Sequence, residues 1–207
     1  MLAANRVAPY GLLTCSIRPA GIFGEGDPQL VPGLLEVYFQ KRTGFQLGDN
    51  DNLFDFTYVG NVAHAHLLAA RALLATSRLS TVPLDHERVD GEAFIITNGT
   101  PIYFWDLARM LWKAAGSELG TDHVWIINKQ IGIPMAAAAE YICKLLGKQT
   151  RFTKKGFKFS CMTRYYNINK ARSRLGYKPL LSLKEGVERG TKWYIEERAK
   201  GQEKKGQ

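Results

Sequence analysis

One stretch, residues 12–27, constrains the fold of this chain of 207 residues more than any other. It reads LLTCSIRPAGIFGEGD, an apolar run followed by a loop with three glycines. We predict a buried strand over residues 12–17, because the run suits a strand and Pro19 cannot continue a sheet ladder. A buried strand that opens into a glycine-rich loop is typical of the ligand-binding edge of an α/β sheet, although Gly-Pro clusters also form ordinary turns.

The composition is that of a globular chain with a basic surface. Its formal charge is +9, which favours anionic partners such as nucleotides, acidic lipid head groups or carboxylate substrates. Part of this charge lies in residues 198–207, which we predict to be a disordered basic tail. The three cysteines include no C-x-x-C pair, so we predict neither a disulfide framework nor a metal site.

Hydrophobic periodicity predicts helices alternating with short strands, as in an α/β fold. The predicted helices cover residues 28–40, 62–72 behind Asn61 as the N-cap, 103–115, 131–146, 169–175 and 182–197. The further predicted strands cover residues 45–47 and 54–58, joined by a turn at 48–52, then 93–97, 123–127 and 157–162.

Four blocks of the sequence resemble, in order and spacing, the extended short-chain dehydrogenases/reductases. They are RPAGIFGEGD after TCSI, FDFTYVGNVAHAHLLAA at 54–70, GEAFIITNGTPIYFWDLARML at 91–111 and YYNINKARSRLGYKPLLSLKEGVE at 165–188. Within that superfamily they are most similar to the 3β-hydroxysteroid dehydrogenase family, in particular to its decarboxylating sterol-4α-carboxylate 3-dehydrogenases. The resemblance implies that residues 1–197 form the C-terminal part of a Rossmann-like fold with its small substrate domain.

The resemblance also implies an activity, an NAD(P)-dependent oxidation in sterol biosynthesis. The substrate would be the 3β-hydroxyl of a 4α-carboxysterol, which is decarboxylated after oxidation. Four residues would line the nicotinamide of NAD or NADP: Pro19, Ala20, Gly21 and Ile22, the last through its backbone amide. Five residues would contact the sterol: Asp27, Gln29, Pro32, Tyr165 and Tyr166.

Two parts of the family's machinery are not found in this sequence. In the resembled family a glycine-rich phosphate loop and a catalytic Tyr-x-x-x-Lys helix precede the Arg18-Pro19 strand. We therefore expect the chain to begin downstream of the catalytic lysine, to be inactive alone and to fold poorly alone. The one Tyr-x-x-x-Lys present, Tyr166 to Lys170, is interpreted as non-catalytic, because its two asparagines disfavour the required helix. We assign no catalytic residue.

Two other functions stay open at this point: a non-catalytic sterol-binding or scaffold domain, and a basic binder of membrane surfaces or nucleic acid. Residues 148–158 mix lysines with aromatic residues, as some nucleic-acid sites do, but the run is short and we interpret it as a solvated loop. We expect no nucleic-acid partner, and a homo-oligomer stays open.

Residues 131–146 are largely apolar, yet shorter than the roughly 20 residues that span a bilayer. We interpret them either as a core helix or as an interfacial helix that covers the sterol pocket and contacts the membrane. By resemblance we expect peripheral attachment to the endoplasmic reticulum, and otherwise a cytoplasmic location.

Overall fold

The computed structural model describes residues 4–5, 11–147, 150 and 153–203. Its strands are β1 Ser16–Pro19, β2 Gly21–Phe23, β3 Phe45–Leu47, β4 Leu53–Phe54, β5 Phe56–Tyr58, β6 Ala93–Ile96, β7 Ile102–Tyr103 and β8 Trp125–Ile127. Its helices are α1 Leu30–Phe39, α2 Val59–Thr76, α3 Phe104–Ala114, α4 Lys129–Leu145, α5 Lys154–Ser160, α6 Asn169–Leu175 and α7 Leu183–Glu203.

The chain divides into two compact units. The first comprises residues 1–27, 55–101 and 165–190, and the second comprises residues 28–54, 102–164 and 191–207. Helix α7 therefore belongs to the first unit up to Gly190 and to the second unit from Thr191 onward.

The first unit contains two parallel strand pairs. Strand β1 pairs with β6, with Ser16 opposite Ala93, and β2 pairs with β5, with Gly21 opposite Phe56. Parallel strands need a long crossover. The segment between β2 and β5 contains α1, and the segment between β1 and β6 contains both α1 and α2. The core of this unit forms where α2 packs on β1 and on α6, and α6 packs on β6; its buried members include Ala65, Phe94, Ile96, Ile168, Leu175 and Tyr177.

The second unit is built around aromatic side chains. The rings of Phe54, Phe104 and Phe159 pack edge to face, with centroids 5.2–5.8 Å apart. Trp105 and Trp112 are both buried on one face of α3, as their spacing predicts, and each indole N–H donates to a backbone carbonyl oxygen. These tryptophans are therefore core residues.

Strand pairing differs from the sequence prediction in two respects. Strand β1 begins at Ser16 rather than at residue 12, because its partner β6 offers only four residues for pairing. The predicted hairpin across residues 48–52 is wrong. Strand β3 pairs with β8, β4 pairs with β7 and β5 pairs with β2, so each strand finds a partner that is distant in the sequence.

The predicted strand over residues 157–162 and the predicted loop over residues 148–158 also need correction, since both overlap helix α5. Residues 157–162 do not form a strand. Helix α5 covers residues 154–160, since the Thr153 hydroxyl caps it by accepting the Gly156 N–H at 3.0 Å and Phe157 is buried beneath it. Residues 148–149 and 151–152 of the predicted basic loop lie outside the described residues.

The predicted C-terminal disorder does not begin at residue 198, because α7 continues to Glu203. The Arg198 guanidinium pairs with Glu36 and stacks on the Phe39 ring at 4.3 Å, which holds this part of the helix. Residues 204–207 lie outside the described range. None of the helices in the described part of the chain is long and apolar enough to cross a bilayer.

Candidate functional site

Two parallel strands of the first unit end side by side. Pro19, the last residue of β1, is the register partner of Ile96, the last residue of β6. The chain then bends at Ala20, whose N–H donates to the Ile96 carbonyl oxygen at 3.0 Å. Ligands of parallel α/β sheets bind beyond the carboxyl ends of the strands, so we place the candidate site at this edge.

The four residues predicted to line a nicotinamide lie at this strand edge. Pro19 and Gly21 are half-buried and Ala20 is buried. Ile22 is 45% exposed, although its neighbour in β2, Phe23, is completely buried. An exposed isoleucine next to a proline and a glycine is an apolar surface that an aromatic ring can cover. These residues therefore fit one side of a nicotinamide.

Glycines 24 and 26 serve the fold at this edge. A Cβ atom on Gly24 would lie 2.9 Å from Val59 Cγ1, and one on Gly190 would lie 3.1 Å from Gly24 Cα. Gly24 is therefore packed closely against other residues of the protein, which leaves no room for a side chain. Gly26 has φ +78°, and next to it the Asp27 N–H donates to the Gly24 carbonyl oxygen at 3.2 Å, which closes the turn.

A pair of buried asparagines joins the strand edge to the C-terminal part of the unit. The Asn61 amide nitrogen donates to Asn98 Oδ1 at 3.0 Å and to the Leu181 carbonyl oxygen at 2.9 Å. Asn61 Oδ1 accepts the N–H groups of Leu180 and Leu181 at 2.8 and 3.1 Å. The prediction of Asn61 as an N-cap is wrong, because α2 begins at Val59 and the Asn61 side chain makes these long-range bonds instead.

Asp55 is a buried carboxyl group directly before β5, and it holds a distant segment. Its Oδ2 atom accepts the Tyr166 N–H at 2.8 Å. Burial raises the pKa of Asp55, while the Tyr166 N–H and the nearby Thr97 hydroxyl favour the charged form and partly oppose that rise. This carboxyl group is consequently easier to protonate than an exposed aspartate.

Tyr58 forms the end of β5, and its phenol is fixed within the protein. The hydroxyl donates to Glu25 Oε1 at 3.0 Å. Burial and the Glu25 carboxylate raise the pKa of Tyr58, and Arg189 opposes them. Because the phenol stays protonated, Tyr58 is a poor proton acceptor at neutral pH.

The Tyr166 to Lys170 pair does not share a helix, since α6 begins at Asn169. The Asn167 side-chain oxygen accepts the Asn169 N–H at 2.7 Å, directly before that helix. The Lys170 ammonium is bound to Glu92 and lies 5.2 Å from the centre of the Phe94 ring. The side chain that would have to act with the tyrosine is thus engaged in an ion pair.

The five predicted substrate residues are divided between the two units. Asp27, Tyr165 and Tyr166 belong to the first unit, where the two tyrosines are exposed. Gln29 precedes α1 and Pro32 lies in its first turn, and both belong to the second unit. Their contact with a sterol stays a prediction.

Sequence reasoning predicted neither the link between Asn61 and Asn98 nor the hydrogen bond between Asp55 and the Tyr166 N–H. The partners of these side chains are 37 to 120 residues away along the chain. The one local signal was the Asn98-Gly99 turn directly after a predicted strand.

The fold defines the class of this protein. It resembles the UDP-glucose 4-epimerase of Thermotoga maritima with a TM-score of 0.56 and 20% identity, over 90% of this chain and 47% of that one. It also resembles a Bacillus cereus UDP-glucuronic acid 4-epimerase, crystallised with NAD, with a TM-score of 0.52 and 18% identity over 87% and 44% of the two chains. Together with the parallel strands, this confirms the predicted Rossmann-like α/β fold.

The sequence narrows the class to a family. The pattern of the 3-beta hydroxysteroid dehydrogenase/isomerase family matches residues 1–127, and the chain belongs to that family. The decarboxylating sterol-4-alpha-carboxylate 3-dehydrogenase of Saccharomyces cerevisiae is 46% identical over 88% of this chain and 50% of the yeast protein. The chain thus spans about half the length of the relatives it matches. The resemblance carried by the four sequence blocks is confirmed.

Proposed function

We propose that this chain forms the nicotinamide-facing part of an NAD(P)-dependent dehydrogenase that oxidises the 3β-hydroxyl of a 4α-carboxysterol. The observation that carries the proposal is the 46% identity to the yeast enzyme, which extends over 88% of the chain. The strand edge supports it, because the apolar residues Pro19 and Ile22 lie where a Rossmann-like fold binds its ligand.

The chemistry of this substrate couples two steps. Oxidation removes the hydrogen on C3 as a hydride and the hydroxyl hydrogen as a proton, which leaves a 3-ketone next to the carbon that bears the carboxylate. The product is a β-keto acid. When its C–CO₂ bond breaks, the electron pair passes into the ketone as an enolate, which takes up a proton, so carbon dioxide leaves readily.

The cofactor when bound supplies the hydride acceptor. The part of this chain in the reaction is to hold and shield that acceptor. The exposed side chain of Ile22 would cover one side of the nicotinamide, and the Pro19–Gly21 backbone would limit its movement. An apolar wall also keeps water away from the hydride position. The choice between NAD and NADP is not assigned to any of these residues.

The test uses the whole dehydrogenase of which this chain is proposed to form the nicotinamide-facing part, here called the full-length protein. It is assayed with NAD⁺ or NADP⁺ and a 3β-hydroxy-4α-carboxysterol. We expect reduced nicotinamide, measured by absorbance, and carbon dioxide in equal amounts. Ile22→Glu is expected to raise the KM for the cofactor about tenfold, because it places a charge on the apolar wall. Ile195→Glu, at an isoleucine of α7 that is 37% exposed, is the matched control and should leave this KM unchanged.

Two results would refute the proposal. One is a folded full-length protein that reduces neither cofactor with this sterol. The other is an Ile22→Glu variant with the same KM for the cofactor as the Ile195→Glu control, which would move the nicotinamide away from this strand edge.

A second proposal, that the protein attaches peripherally to a membrane, is supported by α4. This helix is fixed on one side, where Gly132 and Ala136 are buried and α5 packs. A Cβ atom on Gly132 would collide with the Phe157 ring, so this contact is close. Its other side, which we call the α4 face, exposes large apolar side chains: Ile131, Met135, Tyr141, Ile142, Leu145 and Leu146. The helix therefore buries its small residues and exposes its large apolar ones, whereas a core helix buries its large apolar side chains.

Charge favours an anionic lipid surface as the partner of the α4 face. Lys144 on α4 is exposed, and α5 exposes Lys154, Lys155 and Lys158. Lys129 is not available in the same way, since its ammonium pairs with Asp51 at 2.8 Å. Each lysine near an anionic surface adds roughly 1 kcal/mol of attraction, and the apolar side chains add burial in the interface. The membrane is, by family resemblance, that of the endoplasmic reticulum.

The membrane proposal is tested by co-sedimentation of the full-length protein with vesicles of phosphatidylcholine and phosphatidylserine. We expect binding that weakens with salt and with removal of phosphatidylserine. Ile142→Glu should reduce it at least tenfold, whereas Leu74→Glu, at an equally exposed leucine of α2, should not. Equal binding by both variants would leave the α4 face without a role at the membrane.

A further inference from the structure

The least expected group at the candidate site is the Asp55 carboxyl. It is 1% exposed, and no ion pair involves it among the described residues. One oxygen, Oδ2, accepts the Tyr166 N–H, and the nearby Thr97 hydroxyl also favours the charged form, while the buried Oδ1 has no hydrogen bond of ordinary geometry to the residues that the structure describes. Burying a carboxyl group with so few partners costs free energy, so stability alone gives no reason for this residue.

Asp55 lies next to the residues that would line the nicotinamide. Strands β2 and β5 pair with Gly21 opposite Phe56, so Ala20 and Asp55 each stand one position before this ladder. The same place is reached by the end of β6, since the Phe56 carbonyl oxygen accepts the Asn98 N–H at 3.0 Å. The carboxyl group therefore occupies the point where three strands of the first unit meet.

The segment that Asp55 holds presents two aromatic side chains to solvent. Tyr165 is 55% exposed and Tyr166 is 36% exposed, and the segment belongs to no helix or strand. On its C-terminal side the segment leads into α6, where the Asn167 side-chain oxygen accepts the Asn169 N–H. The Asp55 contact thus fixes the tyrosine backbone against the start of β5.

We infer that Asp55 is a positioning residue, which sets sterol affinity by holding Tyr165 and Tyr166 as an aromatic surface beside the nicotinamide residues. A rigid, largely apolar steroid skeleton suits two exposed tyrosine rings, which offer apolar area at little entropic cost. Asp55 itself touches no substrate and acts through the hydrogen bond to the Tyr166 N–H. The inference rests on the proposed function and extends it to the residues that recognise the sterol.

Two substitutions at Asp55 test whether its hydrogen bond to the Tyr166 N–H is what matters. Asp55→Asn keeps an oxygen that can accept the Tyr166 N–H, whereas Asp55→Ala removes it. In the full-length protein we expect Asp55→Ala to raise the KM for the sterol about tenfold, the equivalent of one hydrogen bond to a charged group, with kcat within about twofold of wild type. Hydrogen exchange of the Tyr166 amide should accelerate at least tenfold in Asp55→Ala and stay near wild type in Asp55→Asn.

Asp90→Asn is the matched control. Asp90 is equally buried in the same unit, but it pairs with Arg88 and with the Asn5 side chain, far along the chain from the tyrosines. Its substitution should lower stability without changing the KM for the sterol. A triple variant that combines Asp55→Ala with alanine at both tyrosines should show no higher KM than the double tyrosine variant, because the aspartate acts through them.

The outcomes distinguish this inference from the proposed function. Wild-type turnover with an unchanged KM in Asp55→Ala would overturn the positioning role and leave the dehydrogenase proposal standing. Additive effects of the aspartate and tyrosine substitutions would overturn it as well. Absence of sterol turnover in every protein, wild type included, would overturn both.

Discussion

Tyr58 is surrounded by three glycines, and one of them offers a sharp test of how tightly the strand edge is packed. A Cβ atom on Gly186 of α7 would lie 2.9 Å from Tyr58 Cδ2 and 3.1 Å from Phe23 Cζ. These distances are up to about half an ångström short of ordinary contact. Neither ring can yield easily, since both are buried and the Tyr58 hydroxyl is bound to Glu25.

Two opposing contributions decide the effect of Gly186→Ala. Alanine stabilises a helix interior by about 1 kcal/mol relative to glycine. Overpacking of a well-packed core costs roughly 1–3 kcal/mol. Gly201 lies on the same helix with no atom within 4 Å of its Cβ position, so Gly201→Ala gains part of the first contribution without the second. We expect Gly186→Ala to be about 1–3 kcal/mol less stable than Gly201→Ala.

Urea unfolding of the two full-length variants measures this difference from their midpoints and slopes. Combining Gly186→Ala with Tyr58→Leu should remove much of the penalty, because the smaller side chain leaves room for the new methyl group. If Gly186→Ala proved as stable as Gly201→Ala, the close packing of α7 on the Tyr58 ring would be refuted.

Three further substitutions test the polar groups of the first unit. Asn61→Ala should lower the free energy of unfolding by about 2–4 kcal/mol, since it leaves the N–H groups of Leu180 and Leu181 unsatisfied; a urea midpoint equal to wild type would contradict this. Asp55 has a raised pKa, so the folded protein keeps a proton that the unfolded chain loses above its ordinary pKa of 3.8. Stability relative to Asp55→Asn should therefore fall as pH rises from 3.8 to the raised value and then level off, and melting temperatures that stay parallel over this range would refute it. Burial raises the pKa of Tyr177 to about 12, so Tyr177→Phe should remove a loss of stability between pH 10 and 12. It should also cost about 1 kcal/mol at neutral pH through the lost bond to the Thr97 carbonyl oxygen, which a two-point pH comparison of unfolding checks.

Local signals made several elements predictable. Helix α7 starts where the sequence has Ser182 three residues before Glu185, and the structure shows the two side chains capping each other's backbone N–H groups. Helix α6 ends at Gly176, which has φ +64°. Strand β6 alternates half-buried and buried side chains and ends at the predicted Asn98-Gly99 turn. Such features need only neighbours in the chain, and the sequence shows these directly.

Long-range pairing was not predictable in the same way. Residues 45–47 and 54–58 have the composition of strands and a turn-like segment between them, which favours a hairpin. Their true partners are about 30 to 80 residues away, and single-sequence periodicity carries no information about which strands pair. Asn61 shows the same limit, because an asparagine before an apolar helix reads as a cap until its distant partners are known.

Residues 177–182 contribute no predicted ligand contact. The buried pair of Asn61 and Asn98 nevertheless links this segment to the strands at the candidate site. Asn98 follows β6, and its Oδ1 atom accepts both the Tyr58 N–H and the Asn61 amide. Asn61 in turn makes two hydrogen bonds with the Leu181 backbone and one with the Leu180 N–H. Each buried donor or acceptor that loses its partner costs about 1–3 kcal/mol. A shift of one of these hydrogen-bonded segments is therefore expected to shift the others. A displacement of the Leu181 backbone would therefore strain the end of β5 and the loop after β6, whose strands pair with the segments that contain Pro19 and Ile22.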